Sequence, residues 1–110
     1  MGDPEEELAD LRGQLDEIDT ALFALVRDRM RCIERVGQVK ARAGMAVFQP
    51  GRAAEVQRQA AARAREHGLD EGFFVRIADM LMAEAIRVEE TVMDQLPPAS
   101  NAGPQNSPPT

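Results

Sequence analysis

From Glu5 to Ala43 the apolar residues recur at alternating spacings of three and four, with no proline to interrupt them. The seam reads Leu8, Leu11, Leu15, Ile18, Leu22, Leu25, then Cys32, Val36, Val39 and Ala43. That period predicts one long amphipathic helix that packs against other helices. Gly44 is the expected stop, and Met45 to Gly51 reads as the first break. Pro50 stands where a second helix begins, running from about Gly51 to His67 with Val56 and Ala60 on its inner face. Gly68 suits a left-handed cap, and Asp70 is a good N-cap for a third helix to about Gln95. The expected inner stripe of that helix is Phe74, Ile77, Leu81, Ala85, Val88 and Val92, with Phe73 and Met80 beside it. The fold class is therefore all-α, with three helices per chain in a domain spanning 1–95. The segment 96–110 holds five of the seven prolines and no charge, so it is expected to be a disordered tail.

A helix of 39 residues would be a rod of about 58 Å. A compact chain of this length has a radius of gyration of only about 13 Å, so the rod would overhang a monomeric globule. Its apolar seam continues to both ends, and a second copy of the chain is the economical cover. The pattern thus predicts a two-fold, intertwined homodimer. One position breaks the seam. Arg29 stands where an apolar residue is due, and a charge in a packing stripe is costly unless it is paired or faces a polar cavity. An interhelical salt bridge and an anion site both satisfy that condition.

Charge narrows the partners. A net charge of −6 argues against nucleic acid and anionic membrane surfaces, which reward basic faces. Four Phe with no Trp or Tyr leave no platform for base stacking. No apolar run reaches membrane-spanning length, the acidic start is unlike an export signal, and one cysteine allows no internal disulfide. A cytoplasmic protein is expected. Glycine-rich phosphate loops and Cys/His metal spacings are missing from the sequence, so neither metal nor cofactor is expected. His67 reads as a helix cap, and Cys32, on the seam, as a core residue.

What remains is cationic. Arg29 and Lys40 are eleven residues apart, about 1100° of helical rotation, so they share a face to within about 20° at an axial separation of about 16 Å. Arg12 is about 26 Å from Arg29 along the same rod, too far to converge within one chain, whereas an antiparallel partner helix could bring it there. Arg52 can add a further positive group, and Glu84 and Glu89 border the third helix's inner stripe, where solvated and pocket roles are both open. Two readings follow: a helical dimer with cationic cavities for a small dicarboxylate, or a dimer whose arginines merely pair with its nineteen acids.

Taken together, Leu11-Arg12, Ile18-Asp19, Arg29, Val36-Gly37-Gln38-Val39-Lys40, Arg52 and His67-Gly68-Leu69-Asp70 resemble the all-helical chorismate mutases. The resemblance covers about residues 5 to 95. It implies an intertwined dimer with two active sites, in which Arg29 and the other subunit's Arg12 hold the substrate carboxylates. It gives Lys40 the ether oxygen of the breaking bond and makes Arg52 complete the pocket. The implied reaction is an intramolecular 3,3 rearrangement, which needs no nucleophile and no metal. Where many members place glutamine against the ether oxygen this chain has Glu89, so the neutral acid is the expected working form. Gln49, Ala53 and Ala85 replace polar or acidic groups around the ring substituent. Phe48-Gln49-Pro50-Gly51-Arg52 and Arg87-Val88-Glu89 are similar to relatives acting on 4-amino-4-deoxychorismate in aminophenylalanine-derived pathways, with Glu84 the candidate for the C4 ammonium. Chorismate as substrate, an isochorismate pyruvate lyase on the same scaffold, and a non-catalytic dimerisation or regulatory module are the alternatives.

Overall fold

The computed structural model describes residues 2–96; the expected tail at 97–110 lies outside the described residues. Three helices and no strand occur among the described residues: α1 (Pro4–Ala43), α2 (Pro50–Glu66) and α3 (Glu71–Gln95). None of them is long and apolar enough to cross a membrane.

Local chemistry accounts for the boundaries. Asp3 accepts a bond from the Glu5 amide at 3.1 Å, so the acidic start forms a cap and first turn where a lead-in was expected. Glu5, Glu6 and Glu7 then face the positive end of the helix dipole, and Lys40 and Arg42 the negative end. Gly44 ends α1 at φ +66°, and Gly68 follows α2 at φ +68°, both in the left-handed region that favours glycine. Pro50 opens α2 in its first turn. Asp70 caps α3 by accepting from the Phe73 amide at 2.8 Å.

The chain divides into two units, residues 1–32 and 33 onward. The first is the N-terminal part of α1 alone. Leu8, Leu11, Leu15, Ile18, Leu22 and Leu25 are all exposed there, between 46% and 66%. Cys32, expected in a core, is exposed too, because nothing in this single helical segment covers the seam.

The second unit holds the end of α1 with α2 and α3. Its buried positions are small: Ala60 and Ala64 on α2, Ala78 and Ala85 on α3, and Gly37 on α1. Ile77, Phe73 and Met80, assigned to or beside the inner stripe, are exposed, because the close helix approach runs through Ala78, Ala85 and Glu89. Gln57 donates to Asp79 at 2.9 Å, tying α2 to α3. Gly37 marks the closest crossing of α1 and α3. A methyl group there would stand 3.2 Å from Cα of Glu89 and 3.3 Å from Cβ of Val92.

Gly37→Ala tests that crossing. The substitution gains about 1 kcal/mol of helix propensity. It meets a backbone atom and a stiff β-branched side chain, and overpacking of that kind costs about 1–3 kcal/mol. Thermal or denaturant unfolding should show a net loss of stability, and a gain would mean that α3 yields freely.

Candidate functional site

Lys40 projects from the last turn of α1 and reaches two other elements. Its ammonium lies 2.7 Å from Oε1 of Glu89 on α3, with the two side chains only 15% and 6% exposed. It also donates to the Val47 carbonyl, in the turn between α1 and α2, at 2.8 Å. The approach of α3 at Gly37, one turn earlier on α1, makes this reach possible, because a bulkier residue would hold Glu89 away. Burial of the pair costs desolvation, which the mutual attraction and the Val47 bond offset.

The contact with Glu89 is an ion pair, and Oε1 is buried with no hydrogen-bond partner among the described residues. Its lone pairs are buried and underused. Ammonium groups carry three N–H donors, so Lys40 keeps capacity beyond Val47. The pair can therefore do two things: neutralise itself, or share its hydrogen-bonding capacity with a third oxygen placed alongside.

The other expected residues take varied positions. Ala85 is buried on α3 one turn before Glu89. Gln49 is half-buried at the N-cap of α2, where its side-chain amide donates to the Ala46 carbonyl at 3.3 Å. Ala53 is half-buried one turn later. Arg52 is exposed and pairs with Glu55 on its own helix at 2.6 Å. In the first unit Arg12 is exposed, and Arg29 is half-buried with Nη1 buried and lacking a hydrogen-bond partner among the described residues. Among the same residues no cluster of three His, Cys, Asp or Glu could hold a metal ion.

Glu84 is brought to none of these. It accepts two bonds from Arg87, at 2.9 and 2.6 Å, on the exposed side of α3. Those hydrogen bonds hold the Glu84 carboxyl below its ordinary range against the opposing effect of desolvation, with the Arg87 charge adding a lesser pull downward. The i, i+3 spacing of Glu84 and Arg87 is a signal the sequence carried. Two contributors went unassigned: Gly37, whose mid-helix cost in an apolar seam asks for a packing reason, and the Val47 carbonyl, which no side-chain pattern announces.

A carboxyl held low in the folded state adds stability above its unfolded titration range, and that contribution fades as acid protonates it. Arg87→Ala should return the Glu84 titration upward toward the ordinary carboxylate range by NMR. An unmoved Glu84 would show that Arg87 is not the cause.

Residues 11–90 match the family described as chorismate mutase type II. Over 91 residues the chain is 41% identical to the 4-amino-4-deoxychorismate mutase of Streptomyces venezuelae, covering 83% of this chain and 88% of that relative. The 4-amino-4-deoxychorismate mutase of Streptomyces pristinaespiralis is 36% identical over 80 residues, covering 73% of this chain and 62% of the relative. The chorismate mutase of Methanocaldococcus jannaschii is 23% identical over 90 residues, covering 82% and 91%. No solved structure shows a significant match. With a family match across most of the three helices and relatives that are themselves named mutases, the chain belongs to the type II chorismate mutases, a family of isomerases.

Proposed function

We propose that the chain acts as an intertwined homodimer that rearranges 4-amino-4-deoxychorismate to the 4-amino-4-deoxyprephenate product. The observation that carries the reading is the Lys40 ammonium, held 2.7 Å from Glu89 in a nearly dry site with donor capacity to spare. In a 3,3 rearrangement the ether C–O bond breaks as a new C–C bond forms, in one cyclic shift of electrons, and the ether oxygen gains negative charge. Fixed donors in a water-poor site favour that state. Lys40 supplies one. Glu89 supplies another when it carries its proton, and that proton also keeps it from cancelling the lysine charge.

Arg29 binds one substrate carboxylate, and its Nη1, buried with no hydrogen-bond partner among the described residues, supports that role. Arg12 of the partner subunit takes the other carboxylate, and Arg52, freed from Glu55, completes the enclosure. These contacts select the folded conformer whose reacting ends lie together. Support for the dimer comes from α1. Its 40 residues make a rod of about 60 Å, and six exposed aliphatic side chains along the first part form a row that a second copy would cover. The amino substrate is favoured over chorismate by the relatives: 41% and 36% identity to two 4-amino-4-deoxychorismate mutases, against 23% to a chorismate mutase.

Separate incubations with 4-amino-4-deoxychorismate, chorismate and isochorismate test the assignment, with products resolved by chromatography and identified by NMR. The amino substrate should give an isomer of unchanged mass at the highest kcat/KM. Faster turnover of chorismate overturns the substrate choice, and pyruvate from isochorismate would make the chain a lyase. Arg29→Ala should lower kcat/KM by a factor on the order of 100 with helical content intact. Unchanged turnover removes Arg29 from the site.

Glu89 makes a prediction of its own. Glu89→Gln, which keeps a donor in place of the carboxyl, should retain turnover that Glu89→Ala loses, and equal turnover for the two variants contradicts the donor role.

A further inference from the structure

Lys40 is fastened twice to the same turn. The Met45 amide donates to its backbone carbonyl at 2.9 Å, and its ammonium donates to the Val47 carbonyl at 2.8 Å. Between the helix end and those two bonds lies Gly44 at φ +66°. That conformation turns the chain back so that the carbonyl two residues beyond Met45 meets the lysine's own side chain. The far end of the turn is tied as well. Gln49 donates from its side chain to the Ala46 carbonyl at 3.3 Å, while its backbone carbonyl accepts from Arg52 and Ala53 at 3.1 Å each as α2 begins.

The same turn steadies the buried pair. A lysine side chain has four rotatable bonds, and a single contact to Glu89 would leave it free to swing. Here the ammonium is held at two points, 2.7 Å from Glu89 Oε1 and 2.8 Å from the Val47 carbonyl. With one N–H fixed on a carbonyl and the approach to Glu89 set, the direction of the remaining donors is fixed by the tetrahedral nitrogen.

We infer that the turn from Gly44 to Gln49 is a positioning element of the reaction, with the left-handed backbone at Gly44 setting the aim of the Lys40 ammonium through the Val47 carbonyl. The inference rests on the reading of Lys40 as the donor to the ether oxygen. Gly44 touches no substrate; it acts through Val47 on Lys40.

Gly44 allows a clean test, because a methyl group added there meets nothing within 4 Å. Any effect of a side chain therefore comes from the backbone conformation it disfavours. Gly44→Val, which resists positive φ, should lower kcat of the folded protein tenfold or more while KM stays within twofold. Gly44→Asn, which tolerates that conformation, should recover most of the lost turnover. If Gly44→Val fails to fold, Gly44→Ala is read on the same scale, with about a threefold loss expected. Equal kcat for the Asn and Ala or Val variants, or a loss of thermal stability with kcat unmoved, overturns the inference. Lys40→Ala in the same series separates the two claims. Full activity there sinks the catalytic reading itself, whereas an inactive Lys40→Ala beside a fully active Gly44→Val sinks the positioning role alone.

Discussion

A buried ammonium beside a buried carboxylate governs how the second unit can be built. Neither group tolerates isolation in a dry setting, so α1 must come close enough to α3 for Lys40 and Glu89 to meet. That demand is met by removing a side chain. Gly37 lets the helices touch backbone to side chain, and the alanines at 60, 64, 78 and 85 are buried with it. The helices are held close by small residues, and no large side chain among the described residues is fully buried. Packing here serves the reach of one lysine more than the bulk of a core.

Helix ends were legible in the sequence because their causes are local. Gly44, Pro50, Gly68 and Asp70 each act within a turn or two of themselves, and each sits where the chemistry of its side chain or backbone requires. The helical periodicity of α1 was equally plain. Which face of α3 is buried was only partly readable: Ala85 lay on the expected stripe and is buried, whereas Ile77 on that stripe is exposed and its neighbour Ala78 is buried instead. Cys32 lay on a correctly identified seam and is nonetheless exposed, because a seam states that something should cover it without stating what.

The candidate site shows the same division. Lys40, Glu89 and Arg29 could be picked out individually, as charges on or beside apolar stripes. Their partners could not, since the meeting of residues 40 and 89 depends on a helix crossing that no short window of sequence encodes. Glu84 is the reverse case. Its partner lies three residues away on the same helix, and the surface pairing with Arg87 leaves it no part in the buried cluster. Family membership supplies the reaction type, and the geometry supplies a reason why so little conventional catalytic equipment is needed.

Arg29 carries one more consequence. Its buried Nη1 has no hydrogen-bond partner among the described residues, and a group left so costs the folded chain free energy. Any anion that satisfies it binds the folded chain and not the unfolded one, so occupancy and folding are thermodynamically linked.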